Sequence, residues 1–208
     1  MKTLQELLYE IRRLEKEAHK RKEGEIWVSD LARCPLKVEY EVRYPELAVQ
    51  DIYHPSFILG DLVHKGVETL AKEFLEKDEV KVEVEVEGRR EMEIGGVKYV
   101  IVGRADIILT SGGHRVGYEL KYCRSDPGLP LEHHVLQARL YKWLFNLDTV
   151  KLLYITPDRI TEYEIKDEVS DDDVMRLVVE HLSKARTPKW PWECKYCTYS
   201  VLCPFKRG

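Results

Sequence analysis

The chain has 208 residues and a formal net charge of −4, with 44% hydrophobic and 34% charged residues. That length supports one well-cored domain with an accessory element, not a string of domains, and the acidic balance argues against a uniformly basic nucleic-acid coat while leaving room for local patches. No stretch approaches a membrane span and the N-terminus lacks the continuous apolar core of a signal peptide, so the expectation is a soluble, cytoplasmic protein with no membrane partner.

Leu4, Leu7, Leu8, Ile11 and Leu14 recur at helical spacing and predict an amphipathic helix over residues 3–22. Ser29 is placed to cap a short helix running into Cys34-Pro35. Residues 57–76 form a second helix, with Leu59, Leu62, Val63, Val67, Leu70 and Phe74 as its apolar stripe. The period then changes to two: Val80, Val82, Val84 and Val86 alternate with charged residues, as in a half-buried strand. Gly95-Gly96 and Gly112-Gly113 read as tight turns joining strands over 90–94, 97–110 and 115–122. A helix over 131–147, strands over 150–156 and 160–166, and a helix over 170–185 capped by Ser170 complete the pattern. This order predicts a single α/β domain with a central mixed β-sheet flanked by helices. Within it, residues 1–55 form an N-terminal helical part, 56–186 the core, and 187–208 a Pro- and Trp-rich tail. Three Gln and one Asn (Asn146), beside abundant Glu, Lys and Arg, lean toward a thermophilic source.

The segment around Gly112-Gly113 carries the chemistry. If the two glycines form a two-residue turn, paired positions across the hairpin sum to 225, so Asp106 lies opposite Glu119 and Arg104 opposite Lys121. These four share one sheet face, while Ala105, Ile107, Leu109, Tyr118, Leu120 and Tyr122 share the other. Two carboxylates directly across a ladder repel, and a divalent cation such as magnesium or manganese removes that penalty. Lys121, on the same face, is placed to hold a water or to neutralise charge developing on a phosphate. The plain alternative is a solvated sheet face on which Lys121 and Arg104 pair with the acids.

Two helices add polar residues. His64 stands at the edge of its apolar stripe, four residues after Gly60, whose small size leaves the imidazole room to reach a neighbour. Glu68, one turn on, reads as a partner for His64. Gln137 and Tyr141, one turn apart on the helix after the carboxylate strand, offer polar tips on one flank.

Five cysteines in a cytosolic protein do not suggest a disulfide framework. Cys34 and Cys123 stand alone, whereas Cys194, Cys197 and Cys203 crowd the C-terminus.

Gly60-x3-His64, Gly103-x2-Asp106, Glu119-x-Lys121 and Gln137-x3-Tyr141, in this order, resemble the RecB-like branch of the PD-(D/E)XK nucleases, a restriction-endonuclease-like fold. Ala105 stands where the family name has proline. The resemblance implies that His64, Asp106 and Glu119 hold Mg2+ or Mn2+, that Lys121 is catalytic, and that Gln137 and Tyr141 help hold Lys121 and the DNA. Cys34 with Cys194-x2-Cys197-x5-Cys203 further resembles the four-cysteine arrangement of the CRISPR-associated Cas-four nucleases.

Four thiolates can bind zinc or an iron–sulfur cluster. The solitary first cysteine, the five-residue gap and Cys203-Pro204 favour a cluster, of four irons or of two. Such a cluster would staple the N-terminal helices to the C-terminal tail, and Cys123 is left as a spare thiol. Around the cysteines, Arg33, Lys189, Lys195, Lys206 and Arg207 mingle with Trp190, Trp192, Tyr196 and Tyr199, a mixture suited either to single-stranded DNA or to packing the cluster. The resemblance implies a metal-dependent exonuclease, 5′-to-3′ in polarity, trimming spacer precursors with a CRISPR integrase complex as partner. A stand-alone RecB-like repair nuclease and a non-catalytic cluster-bearing DNA-binding or scaffold protein are the alternatives.

Overall fold

A computed structural model of the chain describes residues 2–18, 21–77, 79–125 and 128–207. Its centre is two consecutive hairpins: β2 (Val80–Ile94), β3 (Val97–Ser111) and β4 (His114–Tyr122). Gly95, Gly96, Gly112 and Gly113 all have positive φ, the paired left-handed geometry that a two-residue I′ turn requires. β2 is one strand where two segments were expected. Glu87-Gly88-Arg89-Arg90 break the apolar alternation, yet they pair continuously with Arg104 back to Ile101 on β3. Gly88 permits this because a Cβ there would stand 2.5 Å from the Phe145 ring.

The sequence pattern did not announce β1 (Glu25–Trp27), which runs parallel to β3. β5 (Thr149–Ile155) runs parallel to β4, and β6 (Ile160–Ile165) is antiparallel beyond it. The sheet is therefore mixed, in the order β1-β3-β4-β5-β6, with β2 on the other edge of β3. On one face α6 (Glu132–Phe145) and α7 (Asp171–Ser183) close the main core, where Ile101, Ile108, Leu140, Leu152, Tyr154, Val174 and Val178 are fully buried. On the other, α5 (Pro55–Leu75) places Ala71 against Val82, Ile107 and Leu120. Ser170 caps α7 through a capping box with Asp173.

Several expectations need correction. Ala105 packs in the α6-side core although Ile107 and Leu109 face α5, and Val86 parts in the same way from Val82 and Val84. Glu85, at φ +52, turns β2 over at this point, so side-chain alternation reverses and the expected single faces split. Ser29 lies inside α2 (Val28–Leu31), whose N-cap position is Trp27 with no side-chain cap bond. α2 stops short of Cys34, which instead occupies the N-cap position of α3 (Pro35–Arg43), with Pro35 opening the helix.

α1 (Leu4–Ala18) ends earlier than expected; residues 19 and 20 lie outside the described residues. The stripe assigned to α5 is largely on the outside: Leu59, Leu62, Leu70 and Phe74 are exposed, and the buried residues are Glu68 and Ala71. Leu4, Leu7, Ile11 and Leu14 of α1 are exposed as well.

Candidate active site

β3 divides one of its edges between two partners, β1 along residues 100–102 and β4 along residues 107–111. Residues 103–106 pair with neither, and this gap is where the polar side chains collect. The β3–β4 register runs from Ser111–His114 to Ile107–Tyr118, each pair summing to 225 as the glycine turn predicts. Asp106 and Glu119 are one step past the last pair. There the strands part, and Asp106 Oδ2 instead accepts a hydrogen bond from the Leu120 N–H at 2.6 Å. Arg104 consequently does not face Lys121; it is paired across to β2 and forms a 2.6 Å ion pair with Glu85.

Four of the six nuclease-motif residues are joined in a chain of contacts. Lys121 Nζ donates to Glu119 Oε1 at 2.6 Å and to Gln137 Oε1 at 3.1 Å, and Gln137 Nε2 donates to the Tyr141 hydroxyl at 3.2 Å. The helical spacing of Gln137 and Tyr141 places both on the flank of α6 facing β4. From the opposite layer, α5 brings His64 Nδ1 to 3.4 Å from Asp106 Oδ1. All six residues line one cleft of about 710 Å3, the size of a small-ligand site, together with Gly60, Glu68 and Glu85.

Burial sets the electrostatics. It pushes the Glu119 carboxyl up to about 7, with Asp106 adding to the rise and Lys121 opposing it. Burial works against the Lys121 ammonium, but Glu119 and Asp106 outweigh it and hold its pKa above the usual lysine value. Burial also works against a charged His64, and Asp106 more than compensates, raising it. The Tyr141 hydroxyl is kept well above its ordinary range by burial and by Glu119 and Asp106, so it stays protonated.

Glu68 was missed as a site residue. Ligating atoms of His64, Glu68 and Asp106 lie within 4.8 Å of one another, and Glu119 is not in that set. The available signal was the i, i+4 spacing of His64 and Glu68, which fixes both on one helix flank. Glu68 Oε1 and Glu119 Oε2 are buried without a hydrogen-bond partner. Orphaned carboxylate oxygens beside an imidazole match the donor preference of a hard divalent cation, so the residues fit the group.

The four cysteines converge from both ends of the chain. Cys34, Cys194, Cys197 and Cys203 line one pocket with Tyr40 and Tyr199, and burial raises the Cys34 and Cys197 thiols. Among the described residues no three of these thiols lie within 4.8 Å of one another. A tetrahedral zinc with Zn–S bonds of about 2.3 Å needs sulfurs roughly 4 Å apart. Four thiols brought to one pocket suit either a zinc ion or an iron–sulfur cluster. Buried Glu193 fastens the same junction, accepting from the Cys34 N–H at 2.7 Å and the Trp190 N–H at 2.9 Å. Cys123 is half-buried against the main core and takes no part in the cysteine pocket.

The basic and aromatic residues near the tail separate into two groups. Trp190, Tyr199 and Lys189 are buried, and Arg33 is engaged by Asp30 and Glu41. Trp192 and Tyr196 are 44% and 69% exposed, with Lys195 Nζ 5.5 Å above the Tyr196 ring. His133, missed in the sequence, lies 4.7 Å from Trp192 between ring centroids and one helical turn before Gln137.

The PD-(D/E)XK nuclease superfamily profile matches residues 67–204. The CRISPR-associated exonuclease Cas4 of Saccharolobus solfataricus is 45% identical over 190 residues, 91% of this chain and 92% of that protein. The crystal structure of SSO0001 superposes with a TM-score of 0.92 at 42% identity, covering 100% of this chain and 99% of the other. With the sheet gap, the convergent acids and these two matches in hand, the chain belongs to the PD-(D/E)XK nuclease superfamily and, within it, to the family of CRISPR-associated Cas4 exonucleases.

Proposed function

We propose that this protein is a metal-dependent DNA exonuclease that hydrolyses phosphodiester bonds in the cleft between α5 and α6, on single-stranded ends. The observation that carries the reading is the Glu119–Lys121–Gln137–Tyr141 chain facing Asp106 and His64 across the gap in the sheet. His64, Asp106 and Glu119 are the residues that would hold Mg2+ or Mn2+, which when bound polarises the phosphate and acidifies a water. Lys121, its pKa raised, stays an ammonium at neutral pH and so acts as a fixed cation toward the phosphate, not as a base. Gln137 holds the Nζ in place, and protonated Tyr141 anchors Gln137.

Single strands are favoured by the line of rings leading away from the cleft. His133 stands one turn of α6 before Gln137, and exposed Trp192 and Tyr196 extend the line of rings from it beside Lys195. Bases stack on such rings without sequence preference, while the cation tracks phosphate. The cysteine pocket is assigned to an iron–sulfur cluster that ties α3 to the C-terminal tail. The Saccharolobus relative is named a CRISPR-associated exonuclease, and preparing spacer precursors with an integrase complex is the role we propose for this chain. The exposed apolar faces of α1 and α5 supply a surface for such a partner.

The test is cleavage of end-labelled single-stranded DNA by anaerobically purified protein, with Mn2+, with Mg2+ and with chelator. Metal-dependent cutting that Lys121→Ala lowers by at least about a hundredfold, with DNA binding retained, is the expected outcome. The product ladder gives the polarity. Equal cutting by the variant would refute the assignment of Lys121, and no cutting by either would favour a binding role.

A further inference from the structure

We infer that Arg12 of α1 is a specificity-determining residue: joined to Asp61 and Phe57 of α5, it straps α1 across the mouth of the cleft, admitting an unpaired strand and excluding a duplex. The inference rests on the nuclease reading above. Arg12 and Glu15 of α1 line the same cleft as Asp106, Glu119 and Lys121. The Arg12 guanidinium is ion-paired with Asp61, donates through Nε to the Asp51 carbonyl at 3.3 Å and lies 4.9 Å from the centre of the Phe57 ring. Further along α1, Glu15 comes within electrostatic reach of the sheet. Burial raises its carboxyl, Asp61 and Glu85 add to the rise, and Arg104 and Arg12 oppose it. α1 therefore spans from α5 to the β2–β3 pair, over the polar gap.

The strap sits close to the reacting groups. Phe57, Asp61, His64 and Glu68 recur at helical spacing and share one flank of α5, with Phe57 and Asp61 toward its N-terminal end. Asp61 comes one turn before His64, about 4.5 Å along the helix axis. Successive bases of one strand are about 3.4 Å apart, so an unpaired strand passes beneath Arg12 base by base. A duplex does not, since its major groove alone is about 12 Å wide. The cleft, about 710 Å3, likewise has the size of a small-ligand site. The strap itself is fastened at the surface. Leu4, Leu7, Ile11 and Leu14 are exposed, and among the described residues no α1 side chain joins a buried apolar cluster. Besides the Arg12 contacts, Lys16 Nζ donates to the Ala48 carbonyl at 3.2 Å and Tyr9 stands edge-on to Tyr53 at 4.9 Å. Removing the Arg12 side chain therefore loosens the strap and leaves the core as it is.

The experiment compares two end-labelled substrates, a single strand and the same sequence as a blunt duplex, with anaerobically purified, cluster-loaded protein and Mn2+. Wild type is expected to cut the single strand and to leave the duplex nearly intact. Arg12→Ala and Asp61→Ala should each raise the duplex-to-single-strand ratio of kcat/KM at least about tenfold, with single-strand cutting within about threefold of wild type. The exchanged pair, Arg12→Asp with Asp61→Arg, should bring the ratio back toward that of wild type, a rescue that a purely structural role would not give. An unchanged ratio in both single variants would overturn the inference. So would equal losses on both substrates, a raised ratio that the exchange fails to lower, or a wild type that cuts the duplex as fast as the single strand. In each of those cases the wild type still cuts, and the nuclease reading stands. A wild type that cuts neither substrate would remove the nuclease reading, and this inference with it.

Discussion

The ring of Tyr141 rests directly on the backbone of Gly103. A Cβ at Gly103 would stand 2.8 Å from Tyr141 Cε1 and 2.7 Å from Leu144 Cδ2. The glycine three residues before Asp106 is thus what lets α6 sit close enough to β3 for Gln137 to reach Lys121.

Gly103→Ala is therefore expected to lift α6 away from the strand. The overpacking should destabilise the fold by about 1–3 kcal/mol and slow cutting as Gln137 is displaced. Chemical denaturation and single-turnover cleavage on one sample would measure both. Gly60 provides the contrast, since nothing lies within 4 Å of a Cβ built there. Gly60→Ala should leave the fold intact or stabilise it by up to about 1 kcal/mol through helix propensity. An unfolded Gly60→Ala protein would contradict the open cleft beside it.

Gln137→Leu removes the oxygen that accepts from Lys121 at 3.1 Å. With the ammonium held by Glu119 alone, kcat is expected to fall about tenfold or more while KM for DNA changes little. Tyr141→Phe acts one contact further away, through Gln137, and should have the smaller effect. Steady-state kinetics on one oligonucleotide would rank the two, and a reversed order would refute the proposed chain.

Glu193 accepts from two buried N–H groups, those of Cys34 and Trp190. Glu193→Ala leaves both without an acceptor and should destabilise the protein by about 2–4 kcal/mol. Glu193→Gln keeps one accepting oxygen and should lose less. Thermal unfolding of both variants, with the rate at which the four thiols react with an alkylating reagent, would show whether the tail detaches from α3. Cys34→Ser should strip the cluster, read as loss of its visible absorbance, and lower stability.

Stability should also fall on mild acidification, because of His134. Burial, with Lys121 and His133 adding to it, lowers the His134 pKa to about 2. Its Nδ1 contacts the Tyr154 hydroxyl at 2.8 Å, and that hydroxyl also accepts from the Leu131 N–H. The folded protein therefore keeps the imidazole neutral, while the unfolded chain takes up a proton below about pH 6.5. The stabilising term is fully present above that pH and is lost as pH falls toward the folded value. Between pH 7 and pH 5 the loss from this residue is on the order of 1–2 kcal/mol. His134→Gln should flatten that part of the pH dependence in denaturant titrations. An unchanged slope would show that other groups govern it.

Local periodicity and spacing already determine much of this protein. The I′ turn at Gly112-Gly113 admits one register, so the alignment of the Asp106 and Glu119 strands could be counted from the turn. The 3.6-residue repeat likewise put Gln137 and Tyr141 on one flank, and the capping box at Ser170 was local. What the tertiary structure alone decided depends on segments far apart in the chain. The ladder ends after Ile107–Tyr118, and β1, distant in sequence, joins the same edge of β3 only at residues 100–102, which leaves the gap between them. The side-chain faces reverse at Glu85, a non-glycine residue in a left-handed conformation that no alternation pattern signals. Glu68 becomes a site residue because α5 turns its polar flank to the sheet gap and leaves Leu59, Leu62 and Phe74 outside. A helix's apolar stripe shows which side prefers to leave water, but not which neighbour will cover it; here the packing of α5 over the gap placed the acid inward.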